Sequence, residues 1–304
     1  MDKFEVKILG CGSATPTARH LPSCQVVDIR DTLYMIDCGE GAQLQARKMG
    51  IKFNRLRHIF LSHLHGDHCL GLVGLLSTLS LHHIDGEITV HTFAPGAEMF
   101  KRMIEFFCHE LTFTLNFNII EPQRAIIVDT PAITVETFPL YHRIPTVGYI
   151  FREKPKVRHL RRDMLDFYNV PISQRHKLQL GADFVTPEGA VIPNARLTTD
   201  PTAPRSYAYC SDTLFDPRVA RDVGPVTTMY HEATYADDST EKARARYHST
   251  ARQAGEIARM APAQRLVIGH YSKSYPDESL HLEQAKEAFG GEVIAATEGM
   301  CIKI

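Results

Sequence analysis

The chain has 304 residues, 44% of them hydrophobic and 23% charged, with a formal net charge of −1. This is ordinary globular composition, which excludes a disordered or fibrous chain, and the length allows one large α/β core or two small domains. Seven scattered cysteines without a Cys-x-x-Cys pair argue against a disulfide framework or a thiolate zinc knuckle, and the near-zero charge means that any nucleic-acid contact must be local.

Met1-Asp2-Lys3-Phe4 runs straight into an alternating pattern without the basic, apolar and small-residue regions of a secretion signal. With the cysteines read as reduced thiols, the expected compartment is the cytoplasm. The longest nearly unbroken apolar stretch, residues 70–81, falls short of the roughly 20 residues that cross a bilayer, so no membrane association is expected. Short β-branched-rich runs predict strands over 4–9, 24–29, 33–37, 57–61 and 87–93. Helical spacing predicts helices over 42–49, 70–82 and 95–110, the last with Met99, Met103, Ile104, Phe106 and Phe107 on its apolar stripe. The second half repeats the mixture, with strands near 132–138, 146–151, 206–210, 226–230 and 265–269 and helices near 239–260 and 277–289. Such an order, without strict βαβ alternation, implies sheets covered by helices on their outer faces.

Residues 152–200 break the pattern with Pro155, Pro171, Pro187 and Pro193 and dense charge, and are read as an arm inserted into a single domain spanning 1–304. Within it, residues 151–180 carry eight Lys and Arg against three Asp and Glu, a local +5 on a chain that is otherwise at −6.

The sharpest local signal is His63-Leu64-His65-Gly66-Asp67-His68, directly after a predicted strand. Four donor side chains fall within six residues, and Gly66 permits a tight turn. Imidazole and carboxylate suit zinc, and the lack of nearby thiolate argues against a purely structural site. Six positions offer too few ligands for two metals. His142, Asp212 and His270 each follow a predicted strand, and α/β folds build sites at the C-terminal ends of their strands. A lone histidine among the 16 in the chain is more often a core or surface side chain, a weighting that the cluster reverses.

The succession His63-x-His65-x-Asp67-His68, His142, Asp212, His270 resembles the metallo-β-lactamase superfamily. The nearer resemblance is to ribonuclease Z. It rests on Leu9-Gly10-Cys11-Gly12-Ser13-Ala14-Thr15-Pro16, Ile36-Asp37-Cys38-Gly39-Glu40-Gly41, Ser62 through His68, His231-Glu232-Ala233-Thr234, His248-Ser249-Thr250 and His270-Tyr271-Ser272, in family order over nearly the whole chain. That resemblance implies an α/β fold, an αββα sandwich of the metallo-β-lactamase type with a projecting arm, and two zinc ions (Zn2+) at its edge. One would take His63, His65 and His142, the other Asp67, His68 and His270, with Asp212 bridging. It further implies that Asp67 orients the attacking water and that His248, held by Glu232, protonates the departing ribose oxygen. The arm at 152–200 becomes a candidate tRNA-binding exosite of a homodimer, one subunit's arm gripping tRNA at the other's active site.

Two stretches depart from the family pattern. Ser272-Lys273-Ser274-Tyr275 stands where the family has a Ser-Ser-Arg-Tyr-like run, which shifts the expected phosphate contact to Ser272 and Lys273. Val170-Pro171 is followed by Ile172-Ser173-Gln174-Arg175-His176-Lys177 in place of a Gly-Pro-rich element, and Arg158, Arg161 and Arg162 are the arm residues expected to meet substrate. The function implied is zinc-dependent endonucleolytic cleavage of precursor tRNA at its 3′ end, leaving a 3′-hydroxyl on the tRNA and a 5′-phosphate on the trailer. Two alternatives stay open here: a superfamily hydrolase of a small phosphodiester or related ester, and an RNA-binding subunit with structural metals, which a thiolate-free donor set disfavours.

Overall fold

The computed structural model describes residues 3–108 and 110–304; Met1 and Asp2 of the N-terminal reading, and His109 near the end of the predicted 95–110 helix, lie outside them. Two compact units emerge, one running to Asp129 and resuming over Thr134–Phe151 and Ser206–Ile304, the other formed by Thr130–Ile133 and Arg152–Arg205.

The larger unit is built on two seven-stranded sheets. The first has the spatial order Cys301–Lys303, Phe4–Gly10, Cys24–Ile29, Thr32–Ile36, Leu56–Phe60, Glu87–Thr92, Thr114–Ile119, parallel from its fourth strand onward. The second runs Glu292–Ala295, Arg265–Gly269, Thr228–Glu232, Ser206–Cys210, Thr146–Glu153, Ile133–Leu140, Ala125–Asp129, its first four strands parallel. Ser206–Cys210 and Thr228–Glu232 are buried at every residue. Strands covered on both faces give continuous runs in sequence, not alternation.

The sheets face one another through aromatic side chains. Phe60 of the first lies 5.2 Å from the Tyr149 ring and edge-on to Phe151 at 5.6 Å, and Tyr149 Oη donates to the Leu61 carbonyl at 2.7 Å. On the outer face of the first sheet, Ala46, Leu75, Leu76, Leu79, Phe100 and Ile104 from three helices pack on Val26, Met35, Ile59 and Val90. Ala251–Met260 and Ser279–Phe289 cover the second sheet. They cross closely at Gly255, where an added Cβ would stand 2.7 Å from the Ala285 carbonyl oxygen. The order of layers is helix, sheet, sheet, helix.

Two predicted elements change, and four strands are added. The helix Ala94–Phe107 buries Ala97, Phe100 and Ile104, while Met99, Phe106 and Phe107 are exposed, so the expected stripe was set about a residue out of phase. The predicted helix 239–260 is two helices, Thr240–Arg246 and Ala251–Met260. Tyr247 ends the first in the left-handed region (φ 60°), and Thr250 with Gln253 forms a capping box that starts the second. Strands Thr114–Ile119, Ala125–Asp129, Glu292–Ala295 and Cys301–Lys303 were not anticipated; they lie at or next to sheet edges and expose many of their residues.

The smaller unit is structured throughout its length. Leu165, Val170, Leu178, Phe184 and Leu197 form its core, and two two-stranded ribbons pair His159–Leu160 with Thr198–Thr199 and Phe184–Val185 with Val191–Ile192. Asn194 ties it together, donating from Nδ2 to the Leu178 and Ala182 carbonyls at 2.8 and 2.7 Å. At its base Arg205 grips Glu153 through Nε at 2.9 Å and a terminal nitrogen at 2.8 Å. The stretch after Val170-Pro171 is helical, Ile172–Gln179, with Pro171 at its start, the position where a missing N–H costs least.

Candidate active site

The strands Leu56–Phe60, Ile133–Leu140, Ser206–Cys210 and Arg265–Gly269 end just before His63, His142, Asp212 and His270 respectively. Their C-terminal ends bring seven donors together in two groups, His63, His65, His142 with Asp212, and Asp67, His68 with His270; within each group the donor atoms lie within 4.8 Å of one another. His65 Nδ1 is 3.0 Å from His63 Nε2 and 3.2 Å from His142 Nε2. Asp212 stands between the groups: Oδ2 is 3.6 Å from His63 Nε2, and Oδ1 is 3.4 and 3.2 Å from the Nε2 atoms of His68 and His270. Asp212 Oδ1 is buried and accepts no hydrogen bond among the described residues. A buried carboxylate oxygen without a donor is costly unless a cation meets it.

The outward nitrogens of four imidazoles are occupied, which leaves their inner nitrogens as lone pairs. His68 Nδ1–H donates to Asp37 Oδ2 at 2.8 Å, and His142 Nδ1–H to the Tyr247 carbonyl at 2.8 Å. His270 Nδ1–H donates to Thr234 Oγ1 at 2.8 Å, while His63 Nδ1 meets Ser62 Oγ at 3.0 Å. Asp37 is wholly buried and also accepts from Ser62 N, Ser62 Oγ and Tyr209 Oη, so it is a rigid anchor. Burial and neighbouring imidazoles push His63 down; burial also lowers His65 and His142, helped by neighbouring histidine charge and opposed by Asp212, which favours the neutral, metal-binding form. His68 moves the other way: burial pulls it down, but Asp212, Asp37 and Asp67 together raise it. The pocket therefore holds an excess of negative charge that favours a cation. Ala14, Asp37, Tyr247 and His270 all take left-handed φ between 56° and 66° around this site, strain of the sort that accumulates where function fixes geometry.

Glu232 and His248 adjoin the donors, and His248 forms a third close group with Asp212 and His270, its Nδ1 3.9 Å from Asp212 Oδ2. Glu232 is fully buried and accepts from Thr213 N, Thr234 N and Thr234 Oγ1 as well as from His248 Nδ1 at 2.9 Å. Burial lowers the His248 pKa, but the Glu232 and Asp212 charges and the Glu232 hydrogen bond outweigh it and raise it. The free edge of His248 lines a cleft of about 280 Å3 with Ser13, Ala14, His65, Asp67, Arg143 and Asp212. Asp67 Oδ2 is fixed there by the Ala14 amide at 2.7 Å.

The expected phosphate contacts sit apart from that cleft. Ser272 Oγ donates to Ser274 Oγ at 3.1 Å, and Lys273 lines a second cavity of about 270 Å3 with Ser13, Arg19, His20 and Tyr275. Arg158, Arg161 and Arg162 belong to the smaller unit, where Arg158 pairs with Asp200 and Arg161 with Asp163 at 3.2 Å. Reading the sequence assigned no role to Asp37, Ser62, Thr234 or Arg143. The first three stand inside or beside the motifs that carry the family resemblance, and that was the available signal.

Comparison with known proteins bears on the family and the fold. A family model described as anti-Pycsar protein Apyc1 matches residues 4–90. The ribonuclease Z of Parabacteroides distasonis is 49% identical over 305 residues, covering 100% of both chains, and that of Porphyromonas gingivalis strain W83 is 48% identical over 306 residues, again covering 100% of both. In fold, the chain is similar to human tRNase Z, short form, with a TM-score of 0.71 and 24% identity over 98% of each chain. It is also similar to the metallo-β-lactamase fold protein YhfI of Bacillus subtilis, with a TM-score of 0.70 and 16% identity over 100% of each. Identity near one half along the full length of curated relatives, on a helix–sheet–sheet–helix frame with its donors gathered at one edge, places this chain in the ribonuclease Z family.

Proposed function

We propose that the chain is a tRNA 3′-processing endoribonuclease that uses two zinc ions and leaves a 3′-hydroxyl on the tRNA and a 5′-phosphate on the trailer. The observation that carries this reading is the convergence of seven thiol-free donors around Asp212, with His248, itself within 4.8 Å of Asp212 and His270, held at their side by Glu232. His63, His65 and His142 would hold one ion, Asp67, His68 and His270 the other, and Asp212 both. Bound there, such ions supply charge neutralisation for a phosphodiester and water that is nucleophilic near neutral pH. Asp67, fixed by Ala14, orients the attacking water. Glu232 holds His248 through Nδ1, so the opposite ring edge presents a proton to the departing 3′-oxygen.

The smaller unit is the proposed tRNA exosite, with the partner subunit of a homodimer receiving it, in a cytoplasmic enzyme. Residues 152–205 hold ten Lys and Arg against six Asp and Glu. The pairs of Arg158 and Arg161 are with carboxylates that are 83% and 68% exposed. Exposed pairs are weak enough to yield to phosphate. The test is cleavage of a trailer-bearing tRNA set against a small chromogenic phosphodiester, with metal analysis. Joint replacement of Arg158, Arg161 and Arg162 by Ala should weaken tRNA binding and flatten its salt dependence, by roughly 0.7 to 0.9 log units per lost phosphate contact, while sparing the diester. Cleavage of the diester alone by the unaltered chain would overturn the reading.

A further inference from the structure

A third concavity borders His142. It is a groove of about 500 Å3, and its walls include Tyr141, His142, Arg143, Asp216, Arg218 and Tyr247. That volume lies within the roughly 300–1,000 Å3 of small-ligand pockets. Arg143 lines both this groove and the cleft of His248 and Asp212, so the two are neighbours across one side chain. Its guanidinium is solvent-exposed and has no hydrogen bond or ion pair among the described residues.

Tyr247 is the second unusual feature. It closes a helix in the left-handed conformation, a position that Gly or Asn fills with least strain. Its backbone serves the fold, the N–H donating to the Arg244 carbonyl at 3.2 Å and the carbonyl accepting from His142 Nδ1. The residue is 43% exposed, and its ring makes no aromatic or hydroxyl contact among the described residues. The residue takes part in the lining of the groove. On the same groove Tyr141 carries the Arg218 guanidinium 4.1 Å over its ring, and Arg218 in turn pairs with Asp216 at 2.6 Å, which leaves Arg143 as the lining cation without a carboxylate partner among the described residues. Exposed aromatic rings with unpaired cations are the means by which unstacked nucleotides are held.

We infer that this groove binds the nucleotide that carries the departing 3′-oxygen, the last one kept on the tRNA, with its base stacked on Tyr247 and the phosphate on its 5′ side at Arg143. The inference rests on the endoribonuclease reading and adds the direction of the strand. In-line displacement separates the attacking water, on the Asp67 side of the cleft, from the leaving oxygen at His248. His248 is next to Tyr247 in the chain, and its ring lies 5.1 Å from that of His142, which the groove shares. The nucleoside bonded to the leaving oxygen therefore continues into the groove, and the trailer leaves by the Ser13 and Ala14 side.

The experiment pairs Tyr247→Asn, which suits the left-handed backbone, with precursor tRNAs lacking the base on one side or the other of the cut bond. With the unaltered enzyme, loss of the base on the 5′ side should lower kcat/KM roughly tenfold, the scale of one lost stacking contact. Tyr247→Asn should lower it similarly on intact RNA and add nothing on that abasic RNA, whereas its loss and that of the trailer-side base should multiply. Tyr247→Phe, which keeps the ring, should restore the rate, and metal content should match throughout. Independent losses on the 5′ side, or coupling to the trailer-side base instead, overturn the inference. Absence of any tRNA cleavage by the unaltered chain would overturn the endoribonuclease reading beneath it.

Discussion

On the strand Leu56–Phe60, His58 faces His91 of the neighbouring strand, Nδ1 to Nε2 at 3.1 Å, and Asn118 Nδ2 closes the row on His91 Nδ1 at 2.9 Å. Three residues past that strand's end His63 opens the donor cluster. In the first place the histidines bond to each other, stack on Tyr34 and Phe60, and have no carboxylate beside them among the contacts described. Burial, helped by the Arg57 charge, pushes His58 down to about 4, and burial with His58 pushes His91 down to about 3. In the second place four of the five imidazoles have one nitrogen tied outward, and inner nitrogens face Asp67 and Asp212. Richness in histidine therefore says little. What makes a metal site is spare lone pairs turned toward shared negative charge.

The comparison breaks most directly at Asp212. Asp212→Ala removes the carboxylate common to both groups and should cost more activity than the roughly 10²–10⁴-fold of a lost acid–base residue, with metal content, read by elemental analysis, falling from an expected two per chain. Retention of both metals would show that Asp212 is not shared. His248→Ala should lower kcat by about 10²–10⁴-fold and leave metal content unchanged. Metal loss in that variant would move His248 from proton donor to ligand.

A smaller effect is expected behind the donors. Asp37→Asn keeps the shape but exchanges an acceptor of four hydrogen bonds for a weaker one, and roughly 10- to 100-fold should be lost in metal affinity or activity, the usual effect of a group that orients a ligand. Metal titration checks it, and an unchanged affinity would mean that His68 needs no anchor.

The smallest effect belongs to the neutral pair. His58→Phe keeps the stack on Tyr34 but removes one partly exposed hydrogen bond, so stability should fall by about 1 kcal/mol, read from urea midpoints, with metal content and cleavage intact. Because His58 and His91 have folded pKa values below the unfolded value of about 6.5, their contribution is present above that pH. It is lost as pH falls toward about 4 and about 3, where the unfolded chain takes up protons that the folded pair refuses. His58→Phe should reduce that acid slope in the metal-free chain. A drop in metal content would tie the pair to the site and erase the contrast.

Much of the fold and of the candidate site was legible in residue order. The strands ending before His63, His142, Asp212 and His270 are short β-branched or aromatic runs with clear stops, and a donor directly after such a run has one place to go, the C-terminal edge of a sheet. Edge strands such as Glu292–Ala295 and Cys301–Lys303 were not legible, because half-exposed strands carry little periodic signal. The division at Tyr247 was only partly so. Thr250 and Gln253 spell a capping box, but a Tyr in the left-handed region is not a residue that propensity predicts.

By itself the sequence determined sheets covered by helices, a set of seven candidate donor residues and the local basic excess of residues 151–180, since these follow from periodicity, residue chemistry and charge counts that need no third dimension; the sandwich of two sheets followed from the family resemblance. Tertiary structure alone decided which nitrogen of each imidazole faces inward, that Asp212 Oδ1 is buried without a hydrogen bond, and that His58 and His91 satisfy one another. It also decided that a break in a predicted helix delivers His248 to Glu232 and leaves the Tyr247 ring beside Arg143. The reason is physical: a residue's identity fixes which atoms it can offer, but only the packing of segments far apart in the chain fixes which of those atoms are already taken.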